Sequence, residues 1–437
     1  MISNKIKILS VCAALALPMA AQTADTLSIS AFEYKQRVLE YSRQVKQSEQ
    51  DRLAMVEAVK HAKTAFLPGL DANGSYNYRL TDYNIDFGGS AIGMEPESYS
   101  VGATLAQPIY MGGQIRNTYK ATKVQAQIAE QAVALTVDNI VQAAEQSYWN
   151  ASAMKEMYET MCQYVDIIQN LERVLTDRFE AGQISKTDLI SVQARLKEAE
   201  SQRINTYKSY QLALQNLNVL MGEEPLNPVH VQDDITTYLT IPIEVEAAQA
   251  LKNRPDYSIA QLNVDYQRYQ VKLAKAKYNP SFSIGLQGTW GTSMLNFDGT
   301  TLFNATAFAS IKIPLFHWGA RHKAANTQKA LLRSKEFAQQ AAEDKVKQEV
   351  AAAWTNVVQN TKQLKVVEEN CHLAEENLDL NTFSYNEGKL PIVNVLNAQL
   401  TWIQSYSNLI QTWFQHKSSL SAYNKAVGSV RENTSSK

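Results

Sequence analysis

The chain has 437 residues, 45% hydrophobic and 19% charged, with a formal net charge of −1. It is too apolar to be disordered and, with no Lys/Arg stripe, too neutral for a nucleic-acid binder. Its 11 prolines and 17 glycines exclude collagen-like and Pro-rich classes, and its length suggests two or three domains.

Residues 1–24 carry Lys5 and Lys7, an apolar run from Ile8 to Leu17, then Pro18 and small residues. This order predicts an export signal cleaved between Ala20 and Ala24. The alternative is lipidation at Cys12, but Val11 is large for the position before such a cysteine. Cleavage leaves a net charge of −3. No later stretch approaches 18 apolar residues, so no membrane-spanning helix is expected. Cys162 and Cys371 remain; a disulfide is open to an exported pair, but Cys371 on an apolar stripe reads better as core.

The mature chain reads as one plan used twice. Gln107-Pro108-Ile109-Tyr110-Met111-Gly112-Gly113 matches Ile313-Pro314-Leu315-Phe316-His317-Trp318-Gly319 at an offset of 206. Phe179-Glu180-Ala181-Gly182 matches Tyr385-Asn386-Glu387-Gly388 at the same offset. Leu67-Pro68 matches Asn279-Pro280 at 212, so the intervening segment is six residues shorter in the second copy, as expected of a surface loop. The boundaries that follow are a first repeat at 25–222, a linker at 223–254 rich in proline, a second repeat at 255–428 and a disordered tail at 429–437. Each repeat reads as helix, two strands, very long helix, tight turn, long helix.

The strands alternate. Leu70, Ala72, Gly74, Tyr76 and Tyr78 oppose Asp71, Asn73, Ser75 and Asn77, and Tyr99–Gln107 follows the same rule. Phe282–Trp290 and Phe303–Ile313 repeat it, with Phe308 out of pattern. Strands of about ten residues with one apolar face suit a transmembrane β-barrel with a wet interior. Four strands cannot close a barrel, and an open edge in hydrocarbon leaves backbone groups unpaired. Spanning strands would therefore require an oligomer.

The long helices carry a coiled-coil seam. Val346, Val350, Ala353, Val357, Leu364, Val367, Cys371, Ala374 and Leu378, with Asn360 filling one position, alternate steps of four and three. Shifted by 206, the seam reads Ile140, Ala144, Ser147, Ala151, Met154, Tyr158, Met161, Val165 and Ile168. From Gly113 to Arg178 no glycine or proline intervenes, which predicts a helix of roughly 100 Å.

In these motifs the chain resembles the outer membrane efflux protein family, the TolC-like channels. The carriers are Leu67-Pro68-Gly69-Leu70, Gln107-Pro108-Ile109-Tyr110 with Gly112-Gly113, the tip from Phe179 to Asp188, Arg254-Pro255-Asp256 and the tip at Tyr385–Gly388. The resemblance implies a mainly α fold with a β-barrel portion: a homotrimer in which four strands per chain complete a twelve-stranded barrel in the outer membrane. Long coiled-coil helices continue it as an α-helical barrel through the periplasm. It implies an exit duct of a tripartite efflux pump or type I secretion system. Its partners would be outer membrane lipid, a periplasmic adaptor (membrane fusion) protein and an inner-membrane RND or ABC transporter. Drugs, metals, bile salts and proteins all leave through ducts of this type, selectivity resting on the pump.

The resemblance places adaptor docking at the tip turns, Gly182, Ser185, Gly388 and Leu390, and a periplasmic gate at Asp188, Tyr385, Asn394 and Asn397. In the drug exporter it resembles, two aspartates form acidic rings where this chain has Asn394 and Asn397, so weaker cation binding is expected here. Tyr385 and Asp188 match a latching pair; Leu390 stands where a second latch has arginine. Tyr385→Phe with Asp188→Ala is then expected to raise conductance. Scattered histidines make no zinc spacing, and no nucleophile elbow, P-loop or dinucleotide fingerprint occurs, so no enzyme, metal or cofactor is predicted. A surface adhesin would put all four strands at the C-terminus; a periplasmic scaffold would wash from membranes.

Overall fold

The computed structural model describes residues 27–81, 84–292 and 298–430. The expected export signal and residues 431–437 of the expected tail at 429–437 lie outside these described residues. Its first two residues are not disordered: the Ser429 N–H donates to the Asn424 carbonyl and Val430 is buried. The chain opens with β1 (Leu27–Ile29), α1 (Ala31–Tyr41) and α2 (Arg43–Thr64). Ser30 and Glu33 cap α1 reciprocally, each side chain accepting the other residue's N–H. Ser42 ends α1 and caps α2 by accepting the Val45 N–H.

β2 (Gly69–Tyr78), β3 (Asn84–Phe87), β4 (Ser90–Gly93) and β5 (Glu97–Met111) follow. α3 (Gln114–Glu180) and α4 (Lys186–Met221) form the first long hairpin. β6 (Val229–Val231) and α5 (Ala247–Asn253) lie in the connection. Then come α6 (Pro255–Ala276), β7 (Ser281–Thr292), β8 (Thr301–Lys312), α7 (Ala320–Asn386) and α8 (Ile392–Val427). α3 and α7 have 67 residues each, α4 and α8 have 36 each. No described helix is long and apolar enough to cross a membrane.

The seam is where the helices meet. Of the α7 stripe, every residue from Val346 to Ala374 except the filler Asn360 is buried, and Leu378 is half-buried. On α3, Ala144, Ser147, Ala151, Met161, Val165 and Ile168 are buried. Arg254, which opens α6, ties the second half together. Its guanidinium forks onto Asp256, reaches Glu349 of α7 at 2.7 Å and donates to the Ala426 carbonyl near the end of α8. Burial alone would raise the Asp256 carboxyl, but the Arg254 hydrogen bonds and charge hold it below the usual range.

Four strands form one antiparallel sheet in the order β2-β5-β7-β8, so the halves join at β5–β7. Directly opposed residues share a face. One face shows the rows Leu70, Leu105, Leu286, Ala307 and Gly74, Val101, Trp290, Phe303. The other shows Asp71, Thr104, Gln287, Thr306 and Asn73, Gly102, Thr289, Asn304. Aromatics gather at both ends of the apolar face: Tyr76, Tyr99, Trp290 and Phe303 at one, Tyr110 and Phe282 at the other. The eight steps from Phe282 to Trp290 span roughly 26 Å along the strand, about 20 Å of height at the tilt of barrel strands. Leu70, Leu286 and Phe303 are 71%, 57% and 71% exposed, so nothing among the described residues covers this face.

Phe308 sits on the polar face because Gly285 leaves room: a Cβ there would meet its ring at 2.4 Å. β5 runs past the expected end at Gln107. A register shift between Pro108 and Tyr110 bulges Ile109 out, accommodating the missing proline N–H. The longer loop of the first half folds as the ribbon β3–β4.

Where the two halves are joined, β1 pairs in parallel with β6. The Asp233 carboxylate accepts the Ala31 N–H at 2.7 Å and the Tyr148 hydroxyl at 2.8 Å. Lys417 is buried here, donating to the Thr237 carbonyl with its ammonium 4.0 Å from the centre of the Trp149 ring.

Candidate functional site

The two helical hairpins end in turns of one design. Gly182 takes φ +73° after α3, and Gly388 takes φ +72° after α7. The Gly182 N–H donates to the Phe179 carbonyl and the Gln183 N–H to that of Arg178. Gly388 and Lys389 repeat the pair onto Tyr385 and Ser384. These are Schellman caps, in which a left-handed glycine lets orphan carbonyls find N–H groups. No atom comes within 4 Å of a Cβ built on either glycine, so both turns stand open to solvent.

The helices that leave the turns start differently. Ser185 caps α4: its Oγ accepts the Asp188 N–H at 3.2 Å and its hydroxyl donates to the Asp188 carboxylate at 2.8 Å. A carboxylate in a first turn is favoured by the helix dipole. α8 has Pro391 at its cap and no side-chain cap bond. Leu390 before it is half-buried and occupies the place of Ile184. Asn394 is half-buried and Asn397 exposed.

Beneath the turns one apolar cluster joins both hairpins. Ile168 and Leu175 of α3, Val192 of α4 and Ile392, Val395 and Leu396 of α8 are all buried in it. The Tyr385 ring packs on this cluster. Its hydroxyl is buried and has no hydrogen-bond partner among the described residues, so within one chain it does not bond Asp188. Instead the Arg178 guanidinium lies 5.3 Å from the Tyr385 ring centre. Linear reading missed Arg178. Its only signal is its place beside Phe179 in the tip motif.

Cys162 and Cys371 are both free, Cys371 buried on the seam. Among the described residues no group of three or more His, Cys, Asp or Glu could hold a metal. The tip is built of two open turns, an apolar cluster shared by both hairpins and one cation–ring contact.

A family model described as outer membrane efflux protein matches residues 35–223 and 247–429. The chain is 22% identical over 399 residues to the outer membrane protein TolC of Vibrio cholerae, covering 87% of this chain and 86% of that one. It is 21% identical over 428 residues to the TolC of Escherichia coli, covering 93% and 84%. A membrane protein of Pseudomonas aeruginosa has the same fold, with a TM-score of 0.80 at 18% identity over 91% of this chain and 92% of that one.

Proposed function

The chain belongs to the outer membrane efflux protein family, and from that premise we propose that three copies form one passive exit duct. The protein sits in the outer membrane with its helices in the periplasm. β2 and β8 each pair on one side only and are the free edges of the sheet. This is the observation that carries the reading. A free edge in hydrocarbon costs several kcal/mol per unpaired group, and four strands are too few to curl shut. The edges must meet those of other copies, β8 of one on β2 of the next. Three copies give twelve strands, apolar rows to lipid and polar rows to a wet lumen.

The helices support the same assembly. On α7, Val366, Leu373 and Leu380 recur every seven residues at 65%, 57% and 59% exposure, a second seam with no partner among the described residues. The two repeats, each of hairpin and strand pair, then wall a tunnel whose periplasmic end is the tip. There Asp188, Tyr385, Asn394 and Asn397 form the gate, and Gly182, Ser185, Gly388 and Leu390 present the turns to a periplasmic adaptor. That adaptor couples the duct to an inner-membrane RND or ABC transporter, for efflux or type I secretion.

Native mass spectrometry of the detergent-extracted mature protein tests the assembly. The expected mass is three chains. A folded monomer or dimer would sink the reading, because the sheet edges would then need no partner.

A further inference from the structure

The helix end of the sheet carries a charge pattern that a passive duct does not require. Residues 58–68, 112–129, 266–280 and 313–335 flank the four strands where α2, α3, α6 and α7 meet them. Together they hold fourteen lysines and arginines and no aspartate or glutamate. Along the chain, the segments that run from β2 to β5 and from β7 to β8 are the reverse: residues 78–98 and 293–300 hold five acids and one base. Lys60, Lys63, Arg116, Lys275, Arg321 and Lys323 of this collar are exposed.

A cavity of about 430 Å³ opens within the collar between α2 and α3, lined by Lys60, Lys63, Thr64, Phe66, Leu67 and Tyr119. Its floor is apolar, with the Phe66 and Tyr119 rings edge to face at 6.0 Å. Its rim is cationic, and the sole acid near it in sequence, Glu57, is paired with Lys60 at 2.7 Å. Leu67 stands three residues before Leu70, where the apolar face of β2 begins. The floor thus runs on into the band that faces hydrocarbon.

We propose that this cavity binds an anionic phospholipid of the periplasmic leaflet. The phosphate sits between Lys60 and Lys63, and the first carbons of an acyl chain lie on Phe66, Leu67 and Tyr119. Lysines reach a headgroup while their stems lie on apolar surface, and aromatics favour that depth. The remaining collar gathers a shell of like lipids and fixes the depth of the barrel. The proposal rests on the duct reading for which end of the sheet faces the periplasm. Free phosphate would use the lysines and leave the floor unused.

The test titrates the purified protein in detergent with phosphatidylglycerol or phosphatidylcholine of the same acyl chains and counts retained lipids by native mass spectrometry. Phosphatidylglycerol is expected to be retained in preference. Lys60→Gln and Lys63→Gln should each weaken it roughly fivefold. Lys197→Gln with Lys208→Gln, distant on α4, should leave it unchanged. Phe66→Ser should weaken it as well, and excess inorganic phosphate should not displace it. Equal retention of both lipids, indifference to the collar substitutions or displacement by phosphate would each overturn the proposal. The same spectra read assembly separately. A trimer without lipid preference overturns this site alone, while preference on a monomer keeps the site and sinks the duct.

Discussion

At the scale of single residues, two contacts make different demands. The Arg178–Tyr385 contact ties α3 to α7 at the tip through a ring face, not a hydroxyl. Such a contact is worth about 0.5–1 kcal/mol at an exposed site. Arg178→Gln and Tyr385→Leu are expected to raise single-channel conductance in planar bilayers, whereas Tyr385→Phe should leave it near wild type. The reverse order, with Tyr385→Phe opening the channel and Arg178→Gln silent, would return the latch to the hydroxyl. Resemblance could point to Tyr385 and Asp188 because both lie in recognisable motifs. Arg178 was illegible because its partner lies on the other hairpin, a proximity only the folded chain creates. Lys417 makes the second demand. Burial pushes its ammonium down to about 8, nearby Asp233 opposing, whereas a free lysine titrates near 10.4. Between those values the unfolded chain holds a proton that the folded chain has shed, so stability rises with pH across that window. Lys417→Met should flatten this rise, by at most about 3 kcal/mol, in melting curves from pH 7 to 10.5. Equal slopes in both proteins would assign the titration elsewhere.

At the scale of elements, the turns show how one residue type carries different loads. Gly182 and Gly222 are both left-handed caps. Around Gly182 space is open, so Gly182→Ala meets only backbone strain of about 1–2 kcal/mol. At Gly222 a Cβ would stand 2.2 Å from the Tyr41 ring, so Gly222→Ala adds about 1–3 kcal/mol of overpacking and pushes α1 from α4. The second substitution should lower Tm roughly twice as far as the first; equal shifts would mean Tyr41 yields freely. Strand alternation and the 3.5-residue seam were legible because each element has one wet and one dry side over ten residues or more. The β1–β6 pair was not, since three residues carry no measurable period. The break at Ser42 was masked by helix-forming residues on both sides.

At the scale of the whole molecule, the chain is an unfinished surface: a sheet with two free edges, an apolar face without cover and a second seam on α7. Strand counting in the sequence reached only the first of these, that four strands spanning a membrane need other copies, because closure is a geometric requirement independent of atomic detail. What it could not give was the pairing of β5 with β7, which fuses the halves into one four-stranded unit. That order has a genetic consequence. In the proposed ring each copy supplies one edge to the neighbour on either side, and the two edges are different strands. A copy whose β8 edge is broken, by proline for instance, therefore leaves a gap that intact neighbours cannot fill. In a cell making equal amounts of both forms, only about one ring in eight is free of the defect if three copies mix at random. Such an allele behaves as dominant, and its harm is set by how many copies share a ring rather than by how much intact protein is made.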